Sequence, residues 1–140
     1  MTHSTITITR LVHADRPTVW DVLTAPELVS QWIMGAKVQS DWQPGSAITW
    51  SGQYNGQAFE DRGEILEIDH EKRLVHSHYS PMSGADDVPA SYHRVEWNLT
   101  DQGDSTELTL KMPVDSDEQA AEFEQNWGAM LDSLKHVAER

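Results

Sequence analysis

The chain has 140 residues, which suits one domain spanning 1–140, and at that size roughly 68–70% of the unfolded surface is buried on folding. Lys and Arg number 10 against 23 Asp and Glu, a net charge of −13 that repels phosphate backbones and anionic lipid, so nucleic acid and membrane surfaces are poor partners. There is no cysteine for disulfide or thiolate chemistry, no apolar leader in "MTHSTITITR" and no run of about 20 apolar residues, so a cytoplasmic protein without a membrane span is expected.

The first element is "STITITRLVH", Ser4 to His13, whose alternating β-branched residues predict a strand. "ADRPTVWDVLT" follows as a short helix: Asp15 is placed to cap it, Pro17 suits its first turn, and Val19, Trp20 and Leu23 share one face as core packing. A second short helix, "APELVSQWI", opens at Pro26 and turns Leu28, Val29 and Trp32 inward. "AKVQSDW" is strand-like and ends at the turn "QPGS", and "AITWSGQY" is the next strand. Asn55–Gly56 is a hairpin signal because both residues tolerate positive φ. "QAFEDRGEILEID" continues as a long strand in which Gly63 marks a bulge or bend.

After "HEKR", "LVHSHYS" forms a further strand, and "PMSGADDVPA" is a long loop with a solvated Asp86–Asp87 tip. "SYHRVEWNLT" and "STELTLKMP" close a last hairpin across "DQGD". Alternation places His93, Val95, Trp97 and Leu99 on one face, and Thr106, Leu108, Leu110 and Met112 on one face of the next strand. The terminal helix is capped by Asp115 or Ser116, with Glu118 and Gln119 spaced for a capping box. Its apolar stripe comprises Phe123, Trp127, Met130, Leu131, Leu134, Val137 and Ala138. Acidic residues gather at its start and Lys135, His136 and Arg140 at its end, which complements the helix dipole.

Strand, two short helices, six strands and one long helix predict an α+β fold: a curved antiparallel sheet laid over by the final helix. "RLVHADRPTVWDVLTAPELVSQW", "SDWQPGSAITW", "GEILEIDHEKRLV", "STELTL" and "NWGAMLDSL" together resemble, in order and over nearly the whole chain, the START-like superfamily with its helix-grip fold. The likeness is closest to the bacterial branch named after the activator of heat-shock protein 90 ATPase. It implies a cavity between sheet and helix; superfamily members bind lipids, sterols, hormones or polyketides, and some catalyse cyclisation or dehydration. The resemblance does not reach the additional N-terminal domain of the eukaryotic co-chaperones, which weighs against a full activator role.

Within that frame Trp32, Trp50, Trp97 and Trp127 come from elements that converge on the cavity, with Phe123, Met130 and Leu131 beside them on the terminal helix. The plainer alternative is that the indoles fill a closed core. Leu74, His76 and His78 share a strand face, and a symmetric hairpin would set His78 opposite His93 and His76 opposite Val95. The three imidazoles would then give the cavity a polar end; the alternative is a hydrogen-bonded set at a wet mouth. No H-x-x-x-H or H-E-x-x-H run supports a metal, and no phosphate or dinucleotide motif supports a cofactor. Glu60 and Asp61, neighbours on a strand, must point to opposite faces; an inward one would be an acid–base candidate through burial, and the plainer alternative is that both are solvated strand charges. Gly128, interior to a helix at a cost of roughly 0.5–1 kcal/mol relative to Ala, lets backbone approach the sheet or a ligand, or accommodates a bulky neighbour.

The leading expectation is a binder of a small hydrophobic or aromatic molecule. A cyclase- or dehydratase-type enzyme and a chaperone-ATPase cofactor are the alternatives. An exposed sheet edge would allow a homodimer.

Overall fold

A computed structural model describes residues 4–33, 35–54, 56–81 and 84–140. Strand β1 (Ser4–Val12) is followed by helices α1 (Arg16–Thr24) and α2 (Pro26–Trp32), then strands β2 (Lys37–Ser40), β3 (Ala47–Tyr54), β4 (Gln57–Asp69), β5 (Arg73–His78), β6 (His93–Gln102) and β7 (Ser105–Val114), and the long helix α3 (Asp117–Ala138). The strands form one antiparallel sheet in the order β1-β7-β6-β5-β4-β3-β2, so β1 and β2 are its edges and α1 and α2 connect one edge to the other. The β3–β4 turn forms as expected at Gly56, whose φ is +78°, while its Asn55 lies outside the described residues.

Helices α1 and α3 start where side chains satisfy free N–H groups, whereas α2 starts at Ala25 without a side-chain cap and relies on Pro26 in its first turn. Asp15 accepts from the Thr18 amide at 3.0 Å, and Pro17 sits in the first turn of α1, where its missing N–H costs nothing. Ser116, rather than Asp115, caps α3, accepting from the Gln119 amide at 3.1 Å; Gln119 reaches back to the Asp115 amide at 2.7 Å and completes a capping box one residue early. Inward residues of β1, β6 and β7 alternate as their sequences predict, and Leu108, Leu110, Met112, Val95 and Trp97 are buried in one core with Leu131 and Leu134 of α3.

Two glycines show how the sheet and its helix are fitted. Gly63 does not mark the bulge: the register shift falls between Ile65 and Glu67, two positions later. Gly63 instead lets β5 approach, because a Cβ there would lie 1.8 Å from the Ser77 carbonyl oxygen. The Glu64 amide beside it bonds the Ser77 hydroxyl at 2.9 Å. Gly128 is buried but faces neither sheet backbone nor cavity. It sits under Arg10, whose Nη2 would be 3.4 Å from an added Cβ and whose Nε bonds Asp132 at 2.6 Å. The bare helix surface thus admits a guanidinium rising from the inner face of β1.

The loop before β6 is better tied than its composition suggests. Asp87 pairs with Arg62 at 3.1 Å and accepts from the Tyr92 hydroxyl at 2.7 Å, and Tyr92 stacks on Tyr79 with centroids 5.2 Å apart. The Asp86–Asp87 tip is exposed, as expected, yet one of its carboxylates anchors the loop to β4. This anchoring holds the β5–β6 end of the sheet, where the candidate site begins.

Candidate functional site

A cavity lies between the inner face of the sheet and the middle of α3. Strand parity supplies its floor. Trp50 (β3) and Asp61 (β4) are direct register partners and so share the inner face; Leu74, His76 and His78 project from alternate positions of β5, and Trp97 from β6. Trp32 of α2, Trp127 and Met130 of α3, and Trp42 from the loop after β2 complete the wall, with Leu23, Ile33, Ile48 filling between them. Trp42 holds φ +56°, a left-handed conformation disfavoured for a bulky side chain, and its amide is tied to the Ser40 hydroxyl at 3.0 Å. Ile33, Trp42, Asp61, His78, Trp127 and Met130 are half-buried and mark the mouth; the other lining residues are buried.

The indoles pack edge to face. Trp32 meets Trp97 at 6.1 Å between centroids, and Trp97 meets Trp127 at 6.3 Å. Their packing leaves a space of about 40 Å³, whereas one buried water needs roughly 10–15 Å³ and small-molecule pockets run to hundreds. In this conformation the cavity therefore holds a few atoms; a larger guest must move a ring.

His76 is locked. Its Nδ1–H donates to the Ser77 carbonyl at 2.8 Å, while the Trp97 indole N–H donates to its Nε2 at 3.0 Å. Only the neutral Nδ1–H tautomer satisfies both contacts. Burial pushes its pKa down to about 4, the neighbouring His78 adds to that, and the Ser77 carbonyl opposes it. At neutral pH this imidazole is a structural spacer with no free nitrogen.

His78 is arranged differently. Its Nε2 lies 3.1 Å from Asp61 Oδ2, and its ring is flanked by Trp50 at 5.4 Å and Trp127 at 5.5 Å between centroids. Asp61 is the inward carboxylate and Glu60 the exposed one. The second Asp61 oxygen, Oδ1, is buried and has no hydrogen-bond partner among the described residues, a costly condition for a carboxylate oxygen.

Of the residues singled out from sequence, Trp32, Trp50, His76, His78, Trp97, Trp127 and Met130 meet at this cavity. His93 does lie opposite His78 in the ladder, and His76 opposite Val95. Yet the His93 ring turns to the edge of Phe123, 5.1 Å away, beyond the lining, with its pKa lowered by partial burial and by His78. Leu131 is fully buried in the core. Asp61, Trp42, Leu23, Ile33, Ile48 and Leu74 join the lining without having been in that set. Among the described residues no three His, Asp or Glu side chains are grouped to hold a metal ion.

A curved antiparallel sheet gripping a long C-terminal helix over an aromatic cavity defines the helix-grip class. The family model "Activator of Hsp90 ATPase homolog 1-like protein" matches residues 13–139, and the chain belongs to that family. A solution structure of ChR145 from Cytophaga hutchinsonii is similar, with a TM-score of 0.84 and 33% identity over 99% of this chain and 97% of that one. DynU16, described as a putative protein in the dynemicin biosynthetic locus, shares the fold at a TM-score of 0.79 and 19% identity, over 96% of this chain and 47% of its own. The Aha1 dimer from Colwellia psychrerythraea shares it at 0.75 and 16%, over 97% and 96%. No curated protein matches the chain. No helix among the described residues is long and apolar enough to cross a membrane.

Proposed function

We propose that the protein binds a small, flat, largely apolar molecule in the cavity between β3–β6 and α3. The observation that supports this reading best is the lining: five indoles and a set of aliphatic side chains surround only three acidic or imidazole groups, Asp61, His76 and His78. Small-molecule sites have this composition, an apolar wall with a few convergent polar groups. The fold to which the family belongs commonly binds hydrophobic ligands, which supports the reading further. Because the resting space is about 40 Å³, entry requires displacement of a rim side chain, and half-buried Trp127 and Trp42 are the bulkiest of these.

The test is titration of intrinsic tryptophan emission with naphthalene- and indole-sized apolar probes, alongside native mass spectrometry of the purified protein. Saturable quenching with a shift in emission, or a copurified mass, is the expected result. Unchanged emission up to the solubility limit of every probe, together with an empty protein by mass, overturns the reading.

One observation favours a catalytic second reading. The Asp61–His78 pair is the only imidazole–carboxylate contact at the cavity among the described residues, and such a pair can move a proton. A cyclase or dehydratase would use His78, because His76 has no free nitrogen. A homodimer joined through an open sheet edge, β1 or β2, belongs to the same proposal. Light scattering that returns the monomer mass of 15.8 kDa at high concentration removes it.

A further inference from the structure

The polar content of the cavity is lopsided. Asp61 brings an acceptor-only group, and one of its oxygens is buried without a partner. No Lys or Arg lies among the described lining residues, and the donors the wall does hold, the His78 imidazole and the indole N–H groups, leave Oδ1 without a partner. His78 occupies only Oδ2. His76 cannot turn to help, since both its nitrogens are engaged elsewhere. Oδ1 is closed off in this conformation, so a donor reaches it only when a rim side chain moves, and a water arriving there would leave the charge of the carboxylate facing an apolar wall.

The surroundings of that oxygen favour cations in a second, independent way. Trp50 is the direct register partner of Asp61, and Trp50 and Trp127 both pack on His78. Indole rings attract a desolvated cation through their quadrupole. The chain as a whole carries −13, a field that concentrates cations and repels anions at a half-open mouth.

We infer that the guest of this cavity carries an organic ammonium head, which donates to Asp61 Oδ1 and sits among the indoles of Trp50 and Trp127. The inference rests on the cavity-binding reading above and deepens it by naming the chemical class: an aromatic or aliphatic amine, protonated at neutral pH, rather than a carboxylic acid or an uncharged hydrocarbon. A carboxylate guest would meet Asp61 as a like charge, and a pure hydrocarbon would leave Oδ1 unpaired.

The experiment uses three probes of nearly one shape on the full chain at pH 7: benzylammonium, benzyl alcohol and benzoate. Binding is followed by tryptophan indole resonances in NMR and by emission. Benzylammonium is expected to bind at least about tenfold more tightly than benzyl alcohol, with benzoate weakest, a ratio of the size expected for one charge-assisted bond. Asp61→Asn keeps an acceptor for His78 and should bring the ammonium and the alcohol to the same affinity. If benzyl alcohol matches benzylammonium in the wild type, the ammonium inference falls while the cavity reading stands. If none of the three binds, and the apolar probes also fail, both fall. Should Asp61→Asn fail to fold, the wild-type ratio alone decides.

Discussion

The two halves of α3 do different work. From Gly128 onward, Leu131, Leu134, Val137 and Ala138 are buried. That half is also tied by polar contacts: Arg10 to Asp132, Lys135 to the Leu11 carbonyl, and Glu139 to the His13 amide at 2.8 Å. Before Gly128 no residue of the helix is buried. The first half is capped at Ser116 and rests on the sheet and core through half-buried Ala120, Phe123 against His93, and Trp127 against His78 and Trp97. Local stability follows buried apolar contact, so the first half should open at lower free energy than the second. Both halves carry a rim residue of the cavity of about 40 Å³, Trp127 on the lightly held half and Met130 on the anchored one; on the binding reading proposed above, the lightly held half is the one that yields to a guest. On this reading the helix is anchored over its second half and should hinge near Gly128.

The largest expected effect breaks the anchored half. Leu134→Ala removes a fully buried side chain and should cost about 2–5 kcal/mol in urea unfolding. Phe123→Ala, in the hinged half and only half-buried, should cost about 1 kcal/mol or less. Equal costs would show that the two halves are one cooperative unit and would remove the hinge.

Acid should separate the halves next. The His76 pKa is about 4 when folded against 6.5 when free, so the unfolded state binds more protons between those values. Stability is then full above about pH 6.5 and falls as the pH drops towards 4. The difference corresponds to roughly 3 kcal/mol at 1.36 kcal/mol per pH unit. His93 shifts in the same direction and lies under Phe123. Hydrogen exchange at pH 5 should therefore release amides of 117–127 before those of 128–138. His76→Leu should flatten the acid limb while costing about 1–3 kcal/mol at pH 7, because it orphans the Trp97 N–H and the Ser77 carbonyl. An unchanged limb in that variant would assign the pH dependence to other groups.

Trp127→Ala comes third. Its ring is half-buried on the hinged half, so thermal stability should drop by about 1 kcal/mol, while the cavity widens and apolar probes bind more tightly. Weaker probe binding would make Trp127 a contact rather than a gate.

These contrasts also show what was readable in the sequence. Period-two patterning gave the sheet, and the symmetric count across the β5–β6 loop put His78 opposite His93, because hairpin parity depends only on loop length. The lock on His76 was not readable, since it depends on Trp97, a diagonal neighbour two positions beyond Val95, reaching across the face. Sequence does not fix the inward turn of Asp61, because one residue of slip reverses every side chain of a strand. Ile65 is buried and Ile68 half-buried in the same core, although they are three apart. That breaks strict alternation and locates the irregularity between Ile65 and Glu67. Counting back from Ile65 by twos reaches Asp61. Trp42 left no sequence signal, because its place in the wall follows from a left-handed turn that its residue type disfavours.

The smallest effect tests the joint between the two halves. Gly128 lies where the buried half begins, and an added Cβ would meet only Arg10 Nη2, at 3.4 Å. That atom is the end of a flexible, partly exposed side chain, so it can yield by a few tenths of an ångström while keeping Asp132 in reach. Helix propensity then decides the sign: Gly128→Ala should stabilise the protein by about 0.5–1 kcal/mol in urea unfolding. The stiffer joint should also slow opening of 117–127 in hydrogen exchange and weaken probe binding, since the hinge would cost more to flex. If Gly128→Ala instead destabilises the protein by about 1 kcal/mol or more, the seat for Arg10 is tight, and the Arg10–Asp132 pair rather than backbone freedom is what the glycine serves.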